Sequence, residues 1–234
     1  MNLIISGCSR GIGYELVKLF AKNPEHKIIA LSRKQEGLEK LKDECYKEFQ
    51  NKNVFPIVFD LIQFQLYSEL KEKICDVFEQ VDVLINNAGL LVNKAFADFD
   101  LEDFDAVYNT NVKSVFALSQ LLYNCYSDGA HIVNIGSMGG VQGSAKFPGL
   151  SVYSSSKGAV SILTEVLAEE LKDKNIRVNC LALGAAQTEM LSQAFPDYKA
   201  PVSAVEMADF ISKFALEGHR YFNGKVLPVA VSTP

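Results

Sequence analysis

The stretch Ser6-Gly7-Cys8-Ser9-Arg10-Gly11-Ile12-Gly13 follows a short apolar run, Leu3-Ile4-Ile5, and leads into a helical pattern. Glycine permits a sharp turn and lets backbone N–H groups approach a phosphate, and the helix that follows directs partial positive charge at the same point. A glycine-rich turn can also be a plain strand-to-helix connection. Its place between the first predicted strand and the first predicted helix favours a dinucleotide pyrophosphate. The candidate cofactor residues here are Gly7, Ser9, Arg10, Gly11, Ile12 and Gly13.

Short apolar runs alternate with amphipathic stretches along the whole chain. Most of the runs lack polar alternation, which is typical of strands buried on both faces in a parallel sheet. Strands that alternate with helices predict an α/β fold, a doubly wound and mostly parallel seven-stranded sheet with helices on both faces, that is, a Rossmann fold. The predicted strands are Leu3–Ser6, Lys27–Leu31, Val54–Phe59, Val83–Asn86, His131–Ile135, Arg177–Ala182 and Lys225–Ala230.

Two long helices are predicted in the second half. Asp100 can cap a helix from Leu101 to about Tyr126, which Asp128-Gly129 would end, and a second runs from Val152 to Lys172. No linker, repeat or charge block divides the chain, so residues 1–234 are expected to form a single domain that binds a dinucleotide and carries out catalysis.

Composition narrows the function further. The 234 residues carry a net charge of −5, which disfavours binding to a nucleic acid backbone. Three scattered histidines predict no metal site, and five scattered cysteines favour reduced intracellular thiols. The N-terminal apolar run is too short for a signal peptide core or a membrane span, so a cytoplasmic protein without a membrane partner is expected.

The end of the second predicted strand discriminates between the two nicotinamide dinucleotides. NAD sites usually place a carboxylate there for the ribose 2′-hydroxyl. This chain has Ser32-Arg33-Lys34 instead, and Arg10 of the glycine-rich turn adds a third cation. Any one of these cations could be a solvated surface charge. Three of them at the place of a 2′-phosphate predict NADP as the cofactor.

Further motifs follow in a fixed order. They are Asp60 after the third strand, Asn86-Asn87-Ala88-Gly89 after the fourth, Asn111 in the long helix, Ser137 after Val133-Asn134-Ile135-Gly136, Tyr153-x3-Lys157, and Gly184-x3-Thr188. With this ordered set the chain resembles the short-chain dehydrogenase/reductase family, in its NADP-preferring branch, over essentially its whole length.

The Tyr-x3-Lys motif alone carries no weight, because it occurs four times. Only Tyr153 lies just downstream of a strand that ends in Gly-Ser, at the start of a helix rich in small residues. The pairs that begin at Tyr14 and Tyr67 fall on ordinary amphipathic helices, and the pair that begins at Tyr221 straddles the turn Asn223-Gly224. Context therefore selects Tyr153.

The resemblance implies a catalytic set of Asn111, Ser137, Tyr153 and Lys157. Tyr153 would transfer the proton, and Ser137 would bind the substrate oxygen, where charge develops. Lys157 would bind the nicotinamide ribose and lower the pKa of Tyr153, which is about 10 when free. Asn111 would hold a water that links Lys157 to solvent.

The resemblance also implies cofactor contacts beyond the glycine-rich turn. Asp60 and Leu61 would edge the adenine, and Asn87-Ala88-Gly89 would line the adenosine ribose. Thr188, with Gly184 and the backbone near Ala186, would hold the nicotinamide carboxamide.

Two departures from the family pattern fall near the site. Leu183 stands where a proline is usual, and Ser137 and Tyr153 are sixteen residues apart, slightly more than is common. Apolar candidates for the substrate pocket predict an apolar or aromatic carbonyl compound. They are Met138, Phe147, Leu150, Met190, Leu191 and Phe195.

The sequence favours an NADPH-dependent oxidoreductase that interconverts a small-molecule carbonyl compound and its alcohol. One alternative is a 3-oxoacyl thioester reductase, which activity on acetoacetyl thioesters would reveal. Another is a dinucleotide-sensing or scaffold protein without turnover, since a fold does not prove a function. The two predicted long helices have apolar surfaces, and the resemblance implies that family members pair these helices across a two-fold axis. Both points favour a homodimer or homotetramer.

Overall fold

The computed structural model describes residues 1–231, which form nine strands and eight α-helices. The strands are β1 Asn2–Ser6, β2 Lys27–Ser32, β3 Val54–Val58, β4 Val81–Asn86, β5 Tyr126–Ser137, β6 Arg177–Leu183, β7 Ala186–Gln187, β8 Val202–Ser203 and β9 Val226–Val229. The α-helices are α1 Gly11–Ala21, α2 Gln35–Phe49, α3 Tyr67–Cys75, α4 Leu101–Tyr108, α5 Ser114–Leu121, α6 Ser151–Glu170, α7 Glu189–Ala194 and α8 Ala204–Glu217.

Seven strands form one parallel sheet in the order β3-β2-β1-β4-β5-β6-β9, while β7 and β8 pair separately. The order reverses between β1 and β4, where Leu3 pairs with both Ile28 and Val83. Ligands of doubly wound sheets bind at the carboxyl edge of such a reversal. The predicted doubly wound fold is confirmed, and the reversal lies directly below the glycine-rich turn.

Both faces of the sheet are covered by helices. Ile5 on one face belongs to a core that includes Leu16 of α1 and Ile211 of α8. Ile4 on the other face belongs to a second core with Leu70 of α3 and Leu167 of α6. Burial on both faces explains why the strand sequences are continuously apolar.

The predicted helix from Leu101 to Tyr126 is wrong in two respects. A π-helical turn, Asn109–Lys113, separates α4 from α5, and α5 ends at Leu121. Asp128-Gly129 does not stop a helix but lies inside β5. Pairing with the neighbouring strand overrides helix propensity here, because the carbonyl of Cys125 accepts a hydrogen bond from the Val81 amide at 2.8 Å. The cap is as predicted: Asp100 accepts a hydrogen bond from the Asp103 amide at 2.7 Å.

No helix within residues 1–231 is both long and apolar enough to cross a bilayer.

A histidine is buried at the amino edge of the sheet. His131 has 1% of its surface exposed, and its two ring nitrogens lie 3.0 Å from the Ala215 carbonyl oxygen and 3.0 Å from Asn179 Nδ2. A neutral ring satisfies both contacts if Nδ1 carries the proton. Burial lowers the pKa of His131 to about 4.

This burial predicts a loss of stability in acid. Below the ordinary histidine pKa of about 6.5, the unfolded chain binds a proton that the folded chain rejects down to about pH 4. His131 therefore removes up to about 3 kcal/mol of unfolding free energy as the pH falls through that window. In urea titrations from about pH 7.5 to about pH 4.5, wild type should lose more stability than His131→Asn, which keeps a donor toward Ala215. Equal losses would contradict the prediction.

Candidate active site

A cleft of about 560 Å³ opens at the carboxyl edge of the sheet. It brings together all the sequence-predicted site residues except Gly13 and Asn111. Those lining it are Gly7, Ser9, Arg10, Gly11, Ile12, Ser32, Arg33, Lys34, Asp60, Leu61, Asn87, Ala88, Gly89, Ser137, Tyr153, Lys157, Gly184, Ala186 and Thr188. The six predicted pocket residues, from Met138 to Phe195, also line the cleft.

The glycine-rich turn is interlocked with the loop after β4. Gly7 has φ +76°, and a Cβ there would lie 2.9 Å from the Cα of Ala88. Ser6 Oγ accepts hydrogen bonds from the amides of Asn87 and Ala88, each at 3.0 Å. The side-chain Nδ2 of Asn87 donates a hydrogen bond to the Ser6 carbonyl at 2.9 Å. These contacts fix the two loops relative to each other.

Gly13, which is predicted as a cofactor residue, does not line the cleft. A Cβ there would lie 2.3 Å from the Gly7 carbonyl oxygen, so this glycine lets α1 pack against the turn. The N-terminus of α1 has no side-chain cap, and Gly11 and Ile12 of its first turn line the cleft. Uncapped N–H groups at a helix N-terminus fit a pyrophosphate.

The corner beside β2 carries Arg10, Arg33 and Lys34, as predicted. Sequence reasoning missed one feature of it. Arg33 Nη1 lies 3.7 Å from Asp60 Oδ2, and the Arg33 side chain is 66% exposed. With three cations and one carboxylate, these lining residues carry a net positive charge.

The candidate catalytic groups come from β5 and α6. Ser137 ends β5, and Tyr153 and Lys157 lie one turn apart on α6. Lys157 is 4% exposed, and its Nζ donates a hydrogen bond to the Ile135 carbonyl at 2.8 Å. The same nitrogen lies 5.9 Å from the centroid of the Tyr153 ring. Burial lowers the pKa of Lys157 to about 8.

The pKa of Tyr153 differs from the sequence-based expectation. Burial raises this pKa above the ordinary value, and only a hydrogen bond from Ser137 opposes the shift. The Lys157 ammonium donates its hydrogen bond to the Ile135 carbonyl. Tyr153 is therefore a protonated phenol at neutral pH.

Asn111 lies behind the cleft, fully buried in the π-helical turn. Its Oδ1 accepts from the Leu90 amide at 2.7 Å, and its Nδ2 donates to the Leu90 carbonyl and to Ser156 Oγ, each at 2.9 Å. Gly89 separates it from the ammonium: a Cβ at Gly89 would lie 3.5 Å from Asn111 Oδ1 and 3.6 Å from Lys157 Nζ. The water-holding role of Asn111 stays a prediction.

The two departures from the family pattern leave the site intact. Leu183 ends β6, and the next amide, that of Gly184, donates to the Val229 carbonyl at 2.8 Å. Thr188 caps α7 by accepting from the Leu191 amide at 3.2 Å, and it still lines the cleft. Phe147 and Leu150 of the longer loop border the cleft, as expected.

Sequence reasoning missed Asn93, which joins the loops around the substrate end. Asn93 Nδ2 donates to the Ala194 carbonyl at 2.9 Å, and the next amide, that of Lys94, donates to the Gly149 carbonyl at 3.2 Å. Gly149 has φ +85°, and a Cβ there would lie 2.0 Å from Asn93 Oδ1. Asn93 follows the Asn-Asn-Ala-Gly stretch by only four residues, but no spacing rule marks it. Leu90, Leu91 and Tyr198 were missed as lining residues in the same way.

Residues 2–199 match the family model described as short chain dehydrogenase. The chain belongs to the short-chain dehydrogenase/reductase family. One relative in the family, the 3-oxoacyl-(acyl-carrier-protein) reductase FabG of Thermotoga maritima, is 32% identical over 97% of this chain and 94% of its own length. Carbonyl reductase (NADPH) 2 of Sus scrofa is also 32% identical, over 76% of this chain and 69% of its own.

Solved structures of the family have the same fold as this chain. A mutant short-chain dehydrogenase/reductase of Serratia marcescens has a TM-score of 0.86 at 27% identity, covering 98% of this chain and 96% of its own. The NADP-bound structure of ElxO has a TM-score of 0.83 at 26% identity with the same coverage. The present chain is thus an oxidoreductase of this family.

The Asn93 contacts predict that shortening this side chain weakens substrate binding. Asn93→Ala removes the hydrogen bond to Ala194, so KM for the second substrate should rise by about two- to tenfold. The Kd for the dinucleotide should stay unchanged, because Asn93 does not line the cleft. Asn53→Ala is the matched control, since its Nδ2 makes a similar 2.9 Å bond to the Pro24 carbonyl at the far edge. An equal effect of both variants on KM would contradict the role.

Proposed function

We propose that the protein uses NADPH to reduce a ketone or aldehyde to an alcohol, in a reaction that is reversible in principle. One observation carries this proposal: Ser137, Tyr153 and the buried Lys157 line the same cleft. The uncapped N-terminus of α1 and the cationic corner border that cleft as well. The NADP-bound ElxO neighbour and the carbonyl reductase relative support the choice of cofactor and substrate.

In this proposal NADPH supplies the hydride to the carbonyl carbon. Tyr153 donates its phenolic proton to the carbonyl oxygen, and its raised pKa keeps that proton in place beforehand. Ser137 donates a hydrogen bond to the same oxygen as negative charge develops. Lys157 holds the cofactor ribose and stabilises the phenolate that forms, and Asn111 links Lys157 to solvent for reprotonation.

The proton donor is tested by Tyr153→Phe. The change keeps the ring and its packing but removes the hydroxyl, so turnover at saturating NADPH should fall by about 10²–10⁴-fold. The Kd for NADPH should stay near that of wild type. Lys157→Ala, in contrast, should weaken both turnover and NADPH binding, because it removes a ribose contact as well.

Tyr221→Phe is the matched control, because Tyr221 also begins a Tyr-x3-Lys motif and is 76% exposed. Tyr67 is less suitable, since its buried hydroxyl donates to the Leu61 carbonyl at 2.9 Å beside the adenine end. Near wild-type turnover in Tyr153→Phe, or an equal loss in Tyr221→Phe, would show the assignment to be wrong.

The cofactor preference is tested at the cationic corner. Arg33→Ala should weaken NADPH binding by about tenfold or more and leave NADH binding nearly unchanged, because only NADPH carries the 2′-phosphate. Asp60→Asn should act in the opposite direction, since it removes the carboxylate that pairs with Arg33. Arg220→Ala, at the amino edge of the sheet, is the control. Calorimetric titration that finds equal affinities for the two cofactors in wild type would refute NADPH preference.

A 3-oxoacyl thioester reductase is the second candidate, and the FabG relative is the observation that favours it. Activity on acetoacetyl thioesters distinguishes the two. A dinucleotide-sensing or scaffold role is weaker, because the chain keeps Asn111, Ser137, Tyr153 and Lys157 together.

We also propose that the protein is a cytoplasmic homodimer or homotetramer that pairs α5 and α6 across a two-fold axis. Phe116 of α5 is 44% exposed, and Ile162 and Val166 of α6 are 61% and 48% exposed. Burial of these side chains against a second copy would stabilise the pair. The buried free thiols of Cys8, Cys45 and Cys180 support a reducing compartment.

A further inference from the structure

The two ends of the cleft differ in charge. Within residues 1–231, the arginines and lysines that line it are Arg10, Arg33 and Lys34 at the phosphate corner, and Lys157 in the centre. The substrate end has an apolar lining. It consists of Leu90, Leu91, Met138, Phe147, Leu150, Met190, Leu191 and Phe195, with Tyr198 beside them. A substrate that enters this end meets hydrocarbon and no lining cation.

The rim of the substrate end is acidic on one side. The backbone of Lys94 is hydrogen-bonded to Gly149, between the lining residues Phe147 and Leu150. Its ammonium forms an ion pair with Asp103. Asp98 and Asp100 also act on it, and together the three carboxylates raise the pKa of Lys94. This group of four residues carries a net charge of −2 at neutral pH.

Two further lysines, Lys146 and Lys199, adjoin lining residues in the sequence but do not line the cleft themselves. Lys146 Nζ is bound within its own loop, where it donates to the Val141 carbonyl at 2.6 Å, the Ser144 carbonyl at 3.1 Å and Ser144 Oγ at 2.6 Å. Lys199 lies two residues after Asp197. Glu189 also lines the cleft, but it lies beside Gly11 at the cofactor end.

We propose that this entrance selects neutral, apolar carbonyl compounds that arrive free in solution, and disfavours acyl groups carried on an anionic arm. This inference rests on the proposed reductase function and specifies its substrate class. Coenzyme A and acyl carrier proteins both hold the acyl group on a phosphopantetheine arm, so phosphate comes close to the rim when the acyl group is in the site. Carboxylates there repel it, and the repulsion weakens as salt screens the charges.

Two substrates with the same reacting group test the selection. Ethyl acetoacetate is neutral and acetoacetyl-coenzyme A is anionic, yet both present a 3-oxo group. With saturating NADPH, kcat/KM for the ester should exceed that for the thioester and should change little between low and high salt. For the thioester, kcat/KM should rise with salt, because repulsion is screened.

Variants of the rim separate charge from other differences between the substrates. The double variant Asp98→Asn/Asp100→Asn removes two charges, and asparagine still caps α4. It should raise kcat/KM for the thioester several-fold and leave the ester unchanged. The control is Asp76→Asn/Asp173→Asn, which removes two charges after α3 and α6, at the amino edge of the sheet. This control should alter neither substrate's kcat/KM.

The possible failures are distinguishable. A thioester that is the better substrate, with kcat/KM falling as salt rises, overturns the inference while supporting the reductase function. Rim variants that leave the thioester unchanged also overturn it. If NADPH binds but neither substrate is reduced, and a panel of simple aldehydes and ketones is not reduced either, the proposed function itself fails and the inference with it.

Discussion

The burial of the Lys157 ammonium is the constraint on which the site depends. A charge with 4% exposure loses nearly all of its hydration, which is costly unless it is hydrogen-bonded. Here the Ile135 carbonyl of β5 supplies that bond, and the Tyr153 ring lies within 6 Å. The pKa of about 8 reflects the remaining cost. The same packing of α6 against β5 places Tyr153 beside Ser137, so the buried charge and the proton donor are positioned by one contact between elements.

The opposite charge characters of the two ends of the cleft follow from where the loops leave the sheet. The turn after β1 and the end of β2 bring cations to one corner, and the interlock of Ser6 with Asn87 keeps that corner aligned with the centre. The loops after β4, β5 and β6 form the other end and bring mainly hydrocarbon. Asn93 ties these loops together through Ala194, while Asp103 neutralises the adjacent Lys94. One cleft therefore offers an anion site and an apolar site.

Much of this could be predicted from the sequence, because the deciding features are local. The turn at Gly7, the continuously apolar strands and the sequence around Tyr153 can each be recognised from residues that are close in sequence. The failures involve contacts distant in sequence. The helix ends at Leu121 instead of Tyr126 because Cys125 pairs with β4. Arg33 meets Asp60, and Asn93 meets Ala194, only after the chain has folded. The pKa of Tyr153 also depends on burial, which no motif encodes.

In the proposed reaction a hydride passes from NADPH to a carbonyl carbon. Mass spectrometry of the alcohol formed from ethyl acetoacetate, with NADPH carrying deuterium at both hydrogens of nicotinamide C4, tests it most directly. Hydride transfer predicts an alcohol with one carbon-bound deuterium, formed in proportion to the NADPH consumed. An enzyme that binds this NADPH but yields no alcohol from any neutral carbonyl compound, or an alcohol without deuterium, would contradict the account.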